Sequence, residues 1–137
     1  GIQRSTDAGR TWNKVSDIEP IGRVAQVAKG KAFWLGKEGL FVSTDDGATW
    51  RAQGGRVEAS IGPMLDPKND KRMVVAGVKG IFQTTDGGES WKPIATLPPG
   101  ADIPKPGWYS NVAWDPVNDL FYVSKMGKPM YQLAVKP

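Results

Sequence analysis

Carboxylate side chains would carry most of any chemistry in this sequence, because its 137 residues include no cysteine and no histidine. Within these residues, that composition excludes a disulfide, a zinc site built from Cys or from Cys and His, a thiol nucleophile and a histidine-based triad. Asp66 with Asp70, and Asp115 with Asp119, could each form an acid/base pair. Both pairs lie in the sequence Asp-Pro-x-Asn-Asp, which favours a turn because Pro fixes φ and Asn and Asp tolerate left-handed geometry.

Three further aspartates recur at a near-constant period. Their segments start at Gly1, Gly39 and Gly80 and end in Ser/Thr-x-Asp-x-Gly-x-Ser/Thr-Trp. A calcium loop needs several alternating oxygen ligands and a final bidentate Glu, and no such Glu follows here. The pattern instead predicts a metal-free turn in which Asp accepts amide hydrogen bonds, Gly adopts positive φ and Trp is buried over the turn. The residues in these structural roles are Ser5, Asp7, Gly9, Trp12, Ser43, Asp45, Gly47, Trp50, Thr84, Asp86, Gly88 and Trp91.

Short β-strands are predicted between these motifs. Apolar or β-branched runs occupy residues 24–28, 73–76, 111–114 and 120–123, and they are bounded by Gly, Pro, Asn and Asp. The 17 glycines and 11 prolines indicate many turns, and no stretch shows a sustained helical period. Four short strands in each repeat of about 40 residues predict an all-β fold made of β-propeller blades.

The repeated motif resembles the Asp-box, also called the BNR repeat, which is written Ser-x-Asp-x-Gly-x-Thr-Trp. The first two copies match it fully, and the third keeps both hydroxyls with Thr84 and Ser90. Asp-box propellers occur in sialidases, xyloglucan-active glycosidases, sortilin-type receptors and photosystem II assembly factors. The resemblance therefore implies four-stranded antiparallel blades, with the motif bridging the third and fourth strands, and it suggests a secreted or periplasmic protein.

The repeat boundaries predict how the strands are divided among blades. We expect residues 1–16 to form the third and fourth strands of one blade, residues 21–56 and 59–97 to form full blades, and residues 107–136 to form the first three strands of another. These amount to about three blades, whereas propellers typically have four to eight. We therefore expect the remaining blades to come from the same longer chain, of which this would be the C-terminal part, or else from other copies.

Function is expected on the face opposite the two repeated motifs, because the connections there vary in length and sequence. They are residues 13–22, 51–60 and 92–107, with the short turns 36–39, 77–80 and 125–129. Basic side chains could form a positive rim that favours an acidic glycan or an acidic protein surface, and aromatic side chains could contact sugar rings. The candidate binding residues are Lys79, Lys128, Lys37, Arg23, Arg56, Trp108 and Tyr109.

Two functions stay open from the sequence. The first is a ligand-binding scaffold, and the alternative is part of a sialidase-like or xyloglucanase-like glycosidase, which needs two carboxylates about 5–10 Å apart. Resemblance to sialidases implies an arginine triad and a Tyr nucleophile, to which Arg23, Arg56 and Tyr109 could contribute, but no residue is assigned to that family's catalytic set. Carboxylates on the expected functional face are Asp17, Glu19, Glu38, Glu58 and Asp102.

Charge and hydropathy narrow the range of partners. The net charge is +4, and the 18 basic residues are spread along the chain without a Lys/Arg-rich run, so nucleic-acid binding is not predicted. No apolar run reaches the roughly 18 residues of a membrane span. We predict no cofactor and no metal.

Overall fold

The computed structural model describes residues 1–21, 26–99, 110–125, 127 and 129–135. The predictions at Arg23, Asp102, Trp108, Tyr109 and Lys128 lie outside these residues. In the described part of the chain no helix is long and apolar enough to cross a membrane. The regular elements are the strands β1 (Ile2–Arg4), β2 (Asn13–Ser16), β3 (Gln26–Ala28), β4 (Lys31–Gly36), β5 (Gly39–Ser43), β6 (Arg51–Ala52), β7 (Ile61–Asp66), β8 (Asn69–Gly77), β9 (Gly80–Thr84), β10 (Lys92–Ala95), β11 (Ser110–Asp115), β12 (Leu120–Lys125) and β13 (Tyr131–Ala134).

The strands form four antiparallel sheets in which each strand pairs with its neighbours in sequence. The first sheet is β1-β2, the second is β3-β4-β5-β6, the third is β7-β8-β9-β10 and the fourth is β11-β12-β13. Two sheets are therefore complete four-stranded meanders, which is the arrangement of a propeller blade. The prediction of an all-β fold built from four-stranded antiparallel blades is confirmed.

The two repeated motifs lie at the same end of the blades. The Ser/Thr-x-Asp turns join β1 to β2, β5 to β6 and β9 to β10, whereas the Asp-Pro-x-Asn-Asp turns join β7 to β8 and β11 to β12. Because successive strands run in opposite directions, all of these turns share one face. The β4–β5 and β8–β9 turns and the connections at 17–21 and 53–60 lie at the opposite face.

The core lies between sheets, and β8 shows how the sequence builds it. Met73 to Ala76 on this strand are completely buried, since sheets cover both of its faces. Met73 and Val75 pack with side chains of the second sheet, whereas Val74 and Ala76 pack with side chains of the fourth. This alternation follows from the two-residue period of a strand, and it explains why a continuous apolar run occurs here.

Polar contacts also join neighbouring sheets. Arg72 on β8 donates from Nη1 to Oδ2 of Asp66 at 3.3 Å and to the carbonyl oxygen of Pro116 at 2.8 Å, and from Nη2 to the carboxylate of Asp119. Its guanidinium carbon lies 4.8 Å from the centroid of the Trp114 ring. The Arg72 side chain is 16% exposed, and its partners Asp66, in the same sheet, and Asp119, in the fourth sheet, are 11% and 32% exposed. Water therefore screens these ion pairs less than it screens fully exposed ones.

Candidate functional site

The aspartate of each repeated turn is fully engaged in its own hairpin. Asp45 accepts hydrogen bonds from the backbone amide of Thr49 at 2.9 Å, from the Thr49 hydroxyl at 2.6 Å and from the Ser43 hydroxyl at 2.8 Å. The Ser43 oxygen in turn accepts from the amide of Gly47 at 2.9 Å. The same bonds recur around Asp7 and Asp86, with Ser90 in place of Thr in the third copy.

These hydrogen bonds keep the carboxylates ionised. The hydroxyl and amide of Thr11 and of Thr49 lower the pKa values of Asp7 and Asp45 to about 2, and Ser90 and Thr84 hold the pKa of Asp86 well below its usual range. In the described residues, no group of three or more Asp or Glu is arranged to hold a metal ion. The turns therefore have the chemistry of a structural clamp rather than of an acid/base site.

The three tryptophans of these turns differ in burial. The indole nitrogens of Trp12 and Trp50 donate to the carbonyl oxygens of Gly9 and Gly47, at 3.1 and 3.2 Å, so each ring covers its glycine. Trp91 is half-buried against the cores shared by the second and third sheets. The prediction of burial is wrong for Trp12, which is 61% exposed because no sheet of the described chain packs over it.

The Asp-Pro-x-Asn-Asp carboxylates also have structural partners. Asp66 accepts from the amide of Lys68 at 2.8 Å, and Asp115 accepts from the amide of Val117 at 2.9 Å. At the second Asp of each motif, Asp70 is paired with Lys29 at 3.3 Å, and Asp119 binds Arg72. Neither motif presents a free pair of carboxylates, and this favours the turn interpretation over acid/base catalysis.

Carboxylates accompany Lys79 and Lys37, two of the basic residues that were predicted to form a positive rim. Lys79 Nζ lies 2.7 Å from Oε2 of Glu58, and this contact, with a smaller contribution from Arg56, lowers the pKa of Glu58. Lys37 is followed directly by Glu38 on the β4–β5 turn, and both side chains are exposed. Acidic and basic groups therefore alternate on this face in the described residues, and the positive rim stays a prediction.

A groove that sequence reasoning did not predict opens on the same face, between the first and second sheets. Its wall is the connection after β2, which is held to β4 by the hydrogen bond from the Ile21 amide to the Leu35 carbonyl at 2.9 Å and by a bridge between Pro20 and Gly36. We call it the Ile18–Phe41 groove. It has a volume of about 240 Å³ and is lined by Asp17, Ile18, Glu19, Lys37, Glu38 and Phe41.

Gly36 is the sequence signal that could have indicated this groove. A Cβ atom on Gly36 would lie 2.6 Å from Cε2 of Phe41 and 3.3 Å from Cγ2 of Ile18. Glycine therefore leaves the space in which these two side chains sit. The sequence places Gly36 in a turn, but the 23-residue separation of Ile18 and Phe41 gives no local pattern that brings them together.

The glycosidase alternative depends on carboxylates of this face. The hydrogen bond and charge of Lys14 lower the pKa of Asp17, just as Lys79 lowers that of Glu58. A glycosidase acid needs a raised pKa, so neither group is suited to that role. Asp17, Glu19 and Glu38 do line one groove, which is the arrangement most favourable to the alternative.

Comparison with known proteins agrees with the hairpin geometry. A family model described as BNR/Asp-box repeat matches residues 3–14 and 41–52, which contain the first two copies of the turn. The chain contains BNR/Asp-box repeats. Dispase autolysis-inducing protein from Streptomyces mobaraensis is 32% identical to this Asp-box chain over 106 residues, covering 74% of the chain and 28% of that protein.

A solved structure shares the fold of this Asp-box chain. YCF48 bound to D1 peptide matches it with a TM-score of 0.50 and 15% sequence identity, over 96% of this chain and 48% of that chain. YCF48 is a β-propeller, so the likeness supports the assignment of the sheets to propeller blades. The chain spans less than half the length of both of these proteins.

Proposed function

We propose that this chain is part of a ligand-binding propeller whose site lies on the face opposite the Asp-boxes, and that its ligand is a segment of another protein. The different use of side chains on the two faces carries the proposal. The Asp-box carboxylates are committed to their own turns. On the opposite face Lys37, Glu38, Val78 and Lys79 are exposed on short turns between paired strands, as in many sites where a rigid scaffold presents loops to a ligand.

Similarity to YCF48 supports a protein ligand rather than a glycan. YCF48 was solved with a D1 peptide bound, and the relative from Streptomyces mobaraensis is named for inducing the autolysis of Dispase. We extend peptide binding to this chain on the basis of the shared fold. We also propose that further blades, from the same longer chain or from other copies, complete the propeller that presents this face.

A matched pair of exposed valines allows each face to be blocked separately. Val78 on the β8–β9 turn is 75% exposed, and Val117 on the Asp-box face is 71% exposed. The 137-residue sequence includes no cysteine. Val78→Cys and Val117→Cys therefore each introduce one thiol into it for coupling to maleimide–polyethylene glycol. Peptides selected by phage display on the unmodified full chain provide the ligand for both coupled variants.

We expect polymer at residue 78 to block binding of the selected peptides, and polymer at residue 117 to leave it unchanged. Blocking by the polymer at residue 117 alone would place the site on the Asp-box face and contradict the proposal. A selection that yields no peptide, combined with specific retention on a glycan array, would favour a glycan ligand instead.

A glycosidase is the second candidate, because Asp17, Glu19 and Glu38 line the same groove. Its test is hydrolysis of a sialoside and of a xyloglucan oligosaccharide by the full chain. Turnover that disappears in Glu19→Gln or Glu38→Gln would replace the binding proposal by this one. Turnover that persists in both variants would show that the catalytic carboxylates lie elsewhere.

A further inference from the structure

We propose that the Ile18–Phe41 groove binds a Lys or Arg side chain of the partner segment together with an apolar residue beside it. This inference rests on the proposed function, since it takes the ligand to be a protein segment. Three properties of the groove lead to it: the apolar floor, the excess of carboxylates around it, and the fixed wall.

The floor of the groove is apolar and small. Ile18 and Phe41 are half-buried, so each keeps apolar surface that a partner side chain can cover. The volume of about 240 Å³ lies below the roughly 300–1,000 Å³ that is typical of small-molecule sites. The groove therefore suits one or two side chains of a peptide better than an oligosaccharide.

The rim of the groove is acidic. Three acidic residues, Asp17, Glu19 and Glu38, line the groove together with one basic residue, Lys37. Asp17 is already paired with Lys14, whereas no ion pair within the described ranges involves Glu19 or Glu38. These two carboxylates are available to a partner cation, and the guanidinium of Arg matches a carboxylate with two parallel hydrogen bonds.

The wall of the groove is fixed before any ligand binds. Residues 17–21 are held to the end of β4 by the hydrogen bond from Ile21 to Leu35, and the Lys37 amide donates to the Glu19 carbonyl at 3.4 Å. Binding therefore requires little ordering of the groove backbone, which lowers the cost of association. The exposed carboxylates add a screened attraction that weakens with salt.

Three capped peptides that differ only in their central pair test the proposal. The pairs are Leu-Arg, Leu-Gln and Ser-Arg, and each peptide is titrated into the ¹⁵N-labelled full chain. We expect the Leu-Arg peptide to shift the amide signals of Ile18, Glu19 and Glu38. It should bind about tenfold more tightly than either of the others, because each of the others lacks one of the two contacts. Equal affinity for Leu-Arg and Leu-Gln, or no binding of Leu-Arg, would overturn the proposal.

Charge-neutral variants separate the groove from the rest of the face. Glu19→Gln with Glu38→Gln should remove the preference for Leu-Arg over Leu-Gln, whereas Glu58→Gln, on the same face but outside the groove, should retain it. Thermal melting checks that the variants fold. If they do not fold, the affinities of the three peptides for the wild-type chain decide whether the groove binds the Leu-Arg pair. Selected peptides that shift only the signals of Val78 and Lys79 would overturn the groove assignment while the proposed function stands. Selected peptides whose binding is blocked only by polymer at residue 117, on the Asp-box face, would contradict both the groove assignment and the proposed function.

Discussion

Arg72 on one blade donates a hydrogen bond to the carboxylate of Asp119 on the next blade, and it also binds Asp66 on its own blade. Asp66 and Asp119 belong to the two copies of the Asp-Pro-x-Asn-Asp turn, so the two copies meet at one guanidinium. With its amide oxygen turned towards Arg72, the buried Gln83 accepts from Nη2 at 3.2 Å and from Nε at 3.1 Å. The turn motif thus joins blades as well as reversing the chain.

Replacing Arg72 should destabilise the fold strongly. In Arg72→Met the carboxylate of Asp66, which is 11% exposed, would lose its cation while staying shielded from water. We expect the free energy of unfolding to fall by about 3 kcal/mol, as is typical when one partner of a buried ion pair is removed. A urea titration of the full chain measures the change.

Arg51 provides the control for this variant. It is exposed and donates to the side chain of Gln53 at 3.0 Å, so Arg51→Met should change the free energy of unfolding by less than about 0.5 kcal/mol. Similar urea midpoints for the two variants would mean that the ion pairs of Arg72 with Asp66 and Asp119 contribute no special stability.

The Asp-box tryptophans should contribute unequally to stability. Trp91→Ala should lower the free energy of unfolding by about 3 kcal/mol, because the ring packs against the cores between the second and third sheets. Trp12→Ala, in which the same substitution removes a 61% exposed ring, should cost less than about 1 kcal/mol. The two variants would be compared by urea unfolding at one protein concentration. Equal losses would show that the turn contact, rather than packing between blades, determines the contribution of the tryptophan.

The repeats predict the hairpins because each repeat contains its own turn chemistry. Asp45 and its partner Thr49 are four residues apart, so the local pattern contains both ends of the interaction. The burial of the tryptophan is not local, since it depends on whether a neighbouring blade covers the ring. The same motif therefore leaves Trp12 exposed and Trp91 half-buried.

The contacts between blades could not be predicted from these local patterns. Arg72 and Asp119 are 47 residues apart, and Asp119 also has the positive φ of 54° that its turn requires. The turn alone explains why Asp119 occurs in the sequence. The sequence therefore gives no sign that Asp119 also contacts a neighbouring blade. The Ile18–Phe41 groove was missed for a similar reason, because it forms only when the connection after β2 pairs with the end of β4.

Acid should destabilise the Asp-box turns. Hydrogen bonds, first of all from Thr49, lower the pKa of Asp45 in the folded state to about 2 from its ordinary value of 3.8. Folding therefore favours the ionised form, so the stabilisation is complete above the unfolded-state pKa and is lost as the pH falls towards about 2. We expect the urea midpoint to be nearly constant from about pH 6 to pH 5 and to decrease below about pH 4.

Two adjacent substitutions identify the contribution of Asp45 to this pH dependence. Asp45→Asn should give a lower midpoint at neutral pH and a smaller further decrease in acid, because the titrating group is gone. Asp46→Asn makes the same chemical change in the same turn, at a residue that contributes its backbone carbonyl to Arg4. The urea midpoint of Asp46→Asn should therefore change with pH as the wild-type midpoint does. A wild-type profile in Asp45→Asn would contradict the role assigned to this carboxylate.

The positive-rim prediction can be tested through the contact between Lys79 and Glu58. Because Glu58 Oε2 lies 2.7 Å from Lys79 Nζ, an acidic ligand has to compete with Glu58 for the ammonium group. Glu58→Gln should therefore strengthen binding of a polyglutamate peptide or a sialylated oligosaccharide, by about threefold for an exposed pair.

Lys79→Gln with Lys128→Gln should weaken binding of the same probes. Salt should also weaken wild-type binding, since exposed charges are screened beyond about 8–10 Å at 0.1–0.15 M. Comparison of the two probes distinguishes an acidic protein from an acidic glycan. Binding that responds to neither the substitutions nor salt would rule out the rim, whereas a response to both would show that this face offers a cationic site beside the acidic groove.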